Sequence, residues 1–544
     1  MIVTAALASY AIATENGRFW LRYPSGKQFW SLGVCCTGPG ENSVNPKNPG
    51  YSGKALYGSE TAWSKVAKDQ FAGFNTLGGW SDQQFFPGLP FTPVLHLGAY
   101  AKAPYNDLFD PANIAIMDNA AKDQITKLRN QPGLVGYFSD NELGWWRESL
   151  FTSYLGLPPT AAGKRAIVAF LRRHYKSDFN RFKREWVTTK SDFEDLDGTV
   201  RLKPGTSGMQ AVKGWQTALT THYYRLMRDL IRKYDPKRLV LGDRYCQFYY
   251  LNVARSARPY VDVISSNLGA DWNNGDISHF FLDSLRRESG KPVLITEFYM
   301  AANENRSGNK NSSGGFPVVE TQVDRAAAVS RYLHQISSRP YVIGGHWFQF
   351  YDEPTYGRAD GENYNMGLVD IHGEPYSELM ATFRGTDWNQ VHRQSSINPG
   401  GKIPEIPAES TPSLRGWNKA AARVPGKGEV FADLYLSQQK GTLYIGLYAM
   451  DFIDEKIYSN AKLPADDRLR LKLSLDGKVA EIRFGGPEPT TVQGAKAEVV
   501  SYRGGLRHEL ILKWPYPVTG PVKVIGELQS HGRAETMTWN ATAK

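Results

Sequence analysis

Short apolar stretches recur along most of the chain with helix-length segments between them, and this alternation constrains the fold more than any other feature. The stretches are 29–34, 74–77, 93–97, 134–138, 239–242, 261–265, 293–296 and 342–347. Strands joined by helix-length connections run parallel, because only a crossover returns the chain to the same end of a sheet. Eight such strands predict an α/β fold of the (β/α)8 TIM-barrel kind. Ahead of the first, residues 19–23 and Phe29 flank a Pro-Ser-Gly-Lys turn, which predicts a hairpin sealing the barrel floor. The longest excursion, 143–238, separates strands four and five and is expected to hold helices at 161–186 and 214–234. Leu226, Leu230 and Ile231 fall at helical spacing there and are expected in the core.

The strand-helix pattern ends near Phe383, and residues 391–415 are rich in Pro, Ser and Gly, the composition of a linker. From about residue 416 the period becomes two. Leu469-Arg-Leu-Lys-Leu-Ser-Leu475 alternates cleanly and runs into Asp476-Gly477, a hairpin turn. Residues 431–436 and 443–448 read as a further strand pair. The expected organisation is a barrel over 15–390 with its helical insertion at 143–238, a linker over 391–415, and a C-terminal all-β sandwich over 416–544.

Composition narrows the function classes. The net charge is +10, but the basic residues are dispersed, with pairs such as Arg172-Arg173 and Arg286-Arg287 on helix faces. A nucleic-acid protein would gather them into a stripe or tail, so no nucleic-acid partner is expected. A solvated basic surface, or attraction to an anionic substrate such as a sulfated polysaccharide, remains. The 14 Trp, 29 Tyr and 25 Phe suit stacking on sugar faces and equally suit a large core. Cys35, Cys36 and Cys246 form neither a disulfide framework nor a zinc-ligand spacing, so no metal and no cofactor are expected. No phosphate-binding glycine loop, Gly-x-Ser-x-Gly elbow or His-Glu-x-x-His helix occurs. No apolar run is long enough for a membrane span. The apolar opening, closing on Ala11-Ile-Ala13, reads as a weak export signal and points to a secreted or periplasmic protein.

In a barrel of this kind the active site lies at the C-terminal ends of the strands. Two of those ends carry glutamate. Strand four runs Val-Gly-Tyr-Phe-Ser-Asp-Asn141-Glu142, and strand seven runs Pro-Val-Leu-Ile-Thr-Glu297. A carboxylate closing an apolar strand is costly unless it is solvated or chemically engaged. Strands four and seven lie on opposite sides of a closed barrel, so the two acids would face each other across its mouth. Glycoside cleavage with retention needs that pair at ~5–5.5 Å, one to attack the anomeric carbon and one to protonate the departing oxygen. Glu297 is the expected nucleophile and Glu142 the acid/base, with its pKa raised by its neighbour. Asn141 is placed to hydrogen-bond the sugar 2-hydroxyl. Other strand ends supply Trp80 and Asp82, His96, Arg244, Asn267, and His346, Trp347 and Gln349. Trp347 reads as a sugar platform, and His96, Asn267, His346 and Gln349 as hydroxyl partners. Arg244 reads equally as a structural ion-pair partner. The Asn, Ser and Gly-rich loop 303–315 reads as a lid or as a solvated loop.

At these residues the chain resembles clan A glycoside hydrolases and, within them, the family 50 β-agarases. The resemblance runs through most of residues 29–377 and is carried by Gly73-Phe-Asn-Thr-Leu-Gly-Gly-Trp-Ser-Asp82, Gly136-Tyr-Phe-Ser-Asp-Asn-Glu142 and Pro292-Val-Leu-Ile-Thr-Glu-Phe298. Most specific is Gly345-His-Trp-Phe-Gln-Phe-Tyr-Asp-Glu-Pro-Thr-Tyr-Gly-Arg358, continuing to Gly361-Glu-Asn-Tyr-Asn-Met-Gly-Leu-Val-Asp370. It implies acid/base and nucleophile roles for Glu142 and Glu297, places Glu362 and Asn363 near the substrate, and implies a galactan as substrate. The helix pair inserted after strand four also resembles family 42 β-galactosidases. The sequence departs from the family at Asn267-Leu-Gly269 and at Tyr299, where agarases usually carry His, and both changes flank the sugar pocket. Strict agarose specificity is therefore not implied, and the basic net charge makes a sulfated galactan a competing substrate. The C-terminal region is weakly similar to family 9 carbohydrate-binding modules through Ala432-Asp-Leu-Tyr-Leu-Ser437 and Leu443-Tyr-Ile-Gly-Leu447, though a sandwich that only stabilises the barrel would alternate in the same way.

The expected activity is hydrolysis of β-galactosidic linkages in a poly- or oligosaccharide. A β-galactosidase-like exo-hydrolase and a non-catalytic carbohydrate-binding protein are the alternatives. Oligomeric state, and endo or exo action, are left open.

Overall fold

The computed structural model describes residues 9–543 apart from 40–52, 146–147, 313–314, 398–401, 407–412, 452–454, 460–467, 487–488, 495–496 and 531–534. The first eight residues of the apolar opening lie outside the described residues. The rest of it enters the strand Ala11–Glu15, which pairs antiparallel with Arg18–Arg22.

Six strands form one parallel sheet, in the spatial order Tyr245–Cys246, Ile264–Asn267, Val293–Phe298, Val342–Trp347, Ser31–Val34 and Thr76–Leu77. Past Thr76–Leu77 the parallel pairing passes from Leu77 to Phe91 and from Phe91 to Leu134, with Val94 bridging Phe138. Gly136–Tyr137 then pairs with Leu239–Val240, and the Val240 carbonyl accepts from the amides of Asp262 and Val263. Parallel hydrogen bonding thus runs through eight successive chain segments and returns to the one it left. The third segment makes single bridges where a ladder was expected over 93–97. Pro90 and Pro93 remove two of its amide donors, and Leu97 starts the short helix Leu97–Tyr100 instead.

Side chains facing the interior explain why this arrangement closes at one end. Val135, Phe138, Leu241, Val263, Leu294 and Ile343, one or two from each of five strands, cluster with Tyr10, Leu21 and Phe29. Leu21 and Phe29 belong to the N-terminal hairpin, whose strands Arg18–Arg22 and Gln28–Phe29 pair antiparallel, and Tyr10 leads into the strand Ala11–Glu15 beside it. The hairpin therefore plugs the N-terminal end, as expected, and leaves the other end open.

Within 143–238 the first expected helix is split in two, Ala162–His174 and Phe179–Glu185. Lys176 and Ser177 adopt left-handed φ of 54° and 57°, and Asp178 caps the second helix by accepting from the Arg181 amide at 3.0 Å. The second helix starts earlier than expected and spans Met209–Tyr234, burying Leu230 and Ile231. A helix Trp388–Gln394 also runs past residue 391, so regular structure enters the segment read as linker.

Among the described residues the C-terminal region forms two antiparallel sheets of five and six strands. Phe431–Gln439 pairs with Thr442–Met450, and Leu469–Leu475 pairs with Lys478–Phe484 around Asp476 and Gly477. Both turn residues have positive φ, 48° and 82°, as a two-residue hairpin of right-handed twist requires. Polar groups hold these sheets against the α/β region. Lys419 Nζ lies 2.8 Å from Asp276 with both side chains buried. Trp272 Nε1 donates to Glu509 at 2.9 Å, Tyr448 donates to Asp271 at 2.8 Å, and the His279 amide donates to Asp433 at 2.6 Å. Among the described residues no helix is long and apolar enough to cross a membrane.

Candidate active site

The open end of the parallel strands carries a cavity of about 770 Å³. Glu142, Asn141, Asn267 and Glu297 line it together. A register shift between Ser266 and Asn267 sets Asn267 opposite Glu297 on the neighbouring strand, and the Asn267 side chain becomes the centre of the site. Its Nδ2 lies 2.8 Å from Glu142 Oε1, 3.1 Å from Glu297 Oε1 and 3.2 Å from Asn141 Oδ1. Its Oδ1 accepts from Thr296 Oγ1 at 2.8 Å, which fixes the amide orientation. Since both carboxylate oxygens bond one nitrogen, they lie at most ~6 Å apart, within reach of the spacing used for glycoside cleavage with retention.

The two acids occupy different environments. Glu142 is exposed, while Glu297 is 8 % exposed. Burial pushes the Glu297 carboxyl up to about 8, opposed by the Arg244 guanidinium and reinforced by the charge of Glu142. Strand seven carries its acid deeper than the turn after strand four, and the burial raises Glu297, whose carboxyl was not expected from the sequence to shift. Arg244, fully buried, pairs with Glu297 Oε1 at 2.9 Å. Its fork also reaches Asn141 Oδ1 at 3.0 Å and the Thr296 carbonyl at 2.9 Å, and its guanidinium lies 4.3 Å from the Trp80 ring centroid. It acts from beneath the cavity, as the ion-pair partner that was one of its two expected readings.

Backbone conformation marks the same rim. Cys36, Trp80, His96, Glu142, Arg244 and Gln247 all have φ between 45° and 59°, a region that costs a non-glycine residue roughly 1 kcal/mol or more and is kept where surrounding structure imposes it. Each lies within a few residues of a strand or bridge of the parallel sheet, in the segments that carry the site.

Trp80, 41 % exposed, lines the cavity and donates Nε1 to His96 Nε2 at 3.0 Å. His96 thus stands behind Trp80, and burial together with Arg244 lowers its pKa. Tyr299, Gln349 and Glu362 also line the cavity. Asp82 does not; it is exposed, with its carboxyl against Gly38. Asn363 is spent on the loop, accepting from Asn309 at 3.0 Å and donating to the Thr355 carbonyl at 3.2 Å. His346 lies under the floor, 3.0 Å from Ser31 Oγ, and burial lowers its pKa to about 3. Trp347 is fully buried against Phe298 and Phe383, so it offers no sugar platform. Neighbouring strand residues face opposite ways. His346 points into the strand interior, and Trp347 points outward beneath the helices.

Several lining residues were not singled out from sequence. Gln247 and Cys246 follow Arg244, and the Cys246 thiol is hydrogen-bonded to Glu142. Phe348 and Phe316 add apolar surface, and Arg358 lies 3.2 Å from Glu362. Leu506 and Arg507 come from the C-terminal sheets, and no local pattern distinguishes them. Among the described residues no group of three or more His, Cys, Asp or Glu is arranged to hold a metal ion.

No family model matches the chain. It is 31 % identical over 351 residues to β-agarase B of Vibrio sp. (strain JT0107), a match covering 59 % of this chain and 36 % of that protein. To β-agarase A of the same strain it is 27 % identical over 364 residues, covering 59 % and 35 %. The chain thus spans about a third of the length of these curated relatives. The solved structure of PfGH50B superposes with a TM-score of 0.59 at 22 % identity, over 72 % of this chain and 66 % of that one, a likeness of fold. In sequence and in fold, the resemblance of this chain is to the family 50 β-agarases.

Proposed function

We propose that the chain is a retaining glycoside hydrolase on a (β/α)8 barrel, cleaving β-galactosidic linkages of an agarose-like galactan by double displacement. The observation that carries this reading is the single Asn267 nitrogen bonded to both Glu142 and Glu297, which brings an exposed and a buried carboxyl to one sugar-sized space. Glu297 is the nucleophile. Arg244 stabilises its charge, so that in the reactive state the proton shared by the pair resides on Glu142. Glu142 gives that proton to the glycosidic oxygen as Glu297 bonds the anomeric carbon. With Glu297 esterified and neutral, Glu142 takes a proton from water, and the hydroxide displaces Glu297 with net retention. Asn141 holds the sugar 2-hydroxyl, and Trp80, Tyr299, Gln349 and Glu362 line the substrate path. The barrel occupies 15–390, and the sandwich begins near 416. A polymeric galactan is met outside the cell, in keeping with a secreted or periplasmic location.

A neutral galactan is favoured over a sulfated one, because Arg358 in the cavity is already faced by Glu353, Asp360 and Glu362. The test is hydrolysis of agarose, porphyran, carrageenans and aryl β-galactosides with the anomer of the first product read by NMR. Agarose cleaved to the β-anomer, and abolished by Glu297→Gln with binding kept, supports the proposal. Inversion, unchanged turnover by Glu297→Gln, or reaction of aryl galactosides alone refutes it.

A further inference from the structure

The C-terminal sandwich contributes to the cavity as well as to stability. The turn between strands Glu498–Arg503 and Arg507–Pro517 carries Leu506 and Arg507 to the cavity wall. Arg507 Nη2 donates to Gln247 Oε1 at 2.6 Å, and Gln247 itself lines the cavity beside Cys246 and Glu142. Arg507 Nη1 stands 3.6 Å from Asp271 Oδ1, whose other contacts include the Tyr448 hydroxyl at 2.8 Å. The guanidinium is thus held from two sides with its side chain 28 % exposed at the cavity. Leu506 is 55 % exposed although apolar, and an exposed leucine at a cleft rim offers a surface to the C–H face of a sugar ring. The buried contacts of Lys419 with Asp276, Trp272 with Glu509 and His279 with Asp433 fix the sheets that carry this turn. A module swinging on a linker would not keep Arg507 in register with Gln247.

We propose that Leu506 and Arg507 form one wall of the substrate cleft, where Arg507 hydrogen-bonds the sugar unit next to the one held between Glu142 and Glu297 and Leu506 packs on its apolar face. The C-terminal sandwich is then a part of the substrate site that selects for chain length. This rests on the hydrolase reading above. A guanidinium fork pre-organised by protein contacts suits vicinal hydroxyls, since little side-chain freedom is lost on binding.

The experiment compares the full chain with Arg507→Ala and Leu506→Ala on an agaro-oligosaccharide of six units. It measures KM, kcat and melting temperature, and also the calorimetric Kd of each variant in a Glu297→Gln background. Arg507→Ala should raise KM and Kd about tenfold and Leu506→Ala about threefold, with kcat within about twofold of the parent. Should Arg507→Ala melt lower because its contacts with Gln247 and Asp271 are gone, Leu506→Ala, at an exposed position, decides alone. Parent cleavage with both variants binding as the parent does overturns the inference. A parent that neither binds nor cleaves the oligosaccharide overturns the hydrolase reading instead.

Discussion

Replacing Glu297 by Gln tests the buried carboxyl without any substrate. In the folded chain burial disfavours the charge of this group and pushes its pKa from the ordinary 4.5 up to about 8. Below pH 4.5 it is protonated in both the folded and the unfolded chain and costs nothing. Between 4.5 and 8 the unfolded chain releases the proton while the folded chain keeps it, so folding binds protons and stability falls as pH rises. A rise from 4.5 to about 8, at ~1.4 kcal/mol per pH unit, comes to roughly 5 kcal/mol lost by pH 8 and no further loss above it. Glutamine keeps the shape and cannot ionise. Glu297→Gln leaves Arg244 with Asn141 and the Thr296 carbonyl as its partners, a cost that does not vary with pH. The difference between variant and parent should therefore change by about 5 kcal/mol in favour of Gln between pH 4.5 and 8.5. With an unfolding entropy of ~2.1 cal/mol/K per residue over a chain melting as one unit, that is a relative gain of about 4 °C. Calorimetric melts of both proteins at half-unit pH steps measure it. A difference that stays constant from pH 5 to 8.5 would show that Glu297 titrates normally, and the account of its environment would fall.

Two further outcomes follow from the same contacts. Cleavage needs one proton left on the pair for Glu142 to donate, so kcat/KM on agaro-oligosaccharide should fall as pH rises through about 8, where the pair loses that proton, and Arg244→Gln, which removes the charge that lowers this pKa, should move the falling limb to higher pH; a kcat/KM still rising at pH 8, or a limb unmoved by the substitution, counts against this. Lys419→Ala should cost about 3 kcal/mol, seen as a melting temperature lower by roughly 3 °C, because the buried Asp276 loses one of its two cationic partners and keeps Arg331 and the Asn274 amide; an unchanged melt would mean that the pair contributes nothing across the seam.

The parallel strands were legible because each is an apolar run bounded by polar turns, and the strand Val342–Trp347 has the bounds its sequence suggests. The segment at 93–97 misled because its residues are apolar enough for a strand, while ladder formation depends on amides that Pro90 and Pro93 lack. The helix break at Tyr175 was equally hidden, since Arg172 to Phe182 reads as a continuous charged and aromatic face. What ends the helix there is local, Asp178 capping the next one.

Site residues divide on whether their position depends on one strand or on several. Glu142 and Glu297 were readable because a carboxylate ending an apolar strand is conspicuous by itself. Asn267 was named as one hydroxyl partner among several, yet its position as the bridge depends on a register shift against the neighbouring strand, which no single-strand pattern encodes. Trp347 misled for the complementary reason. Its place in the strand is plain, but whether it or His346 faces inward depends on the phase of the alternation, and Gly33, whose missing side chain leaves room for the His346 ring, settles that from the adjacent strand. Arg507 is the extreme case. It lies 260 positions from Gln247 along the chain, at the start of a strand whose own alternation says nothing of a cleft. The chemistry of this site is therefore written in the strands, while its outer wall depends on how a second set of sheets docks.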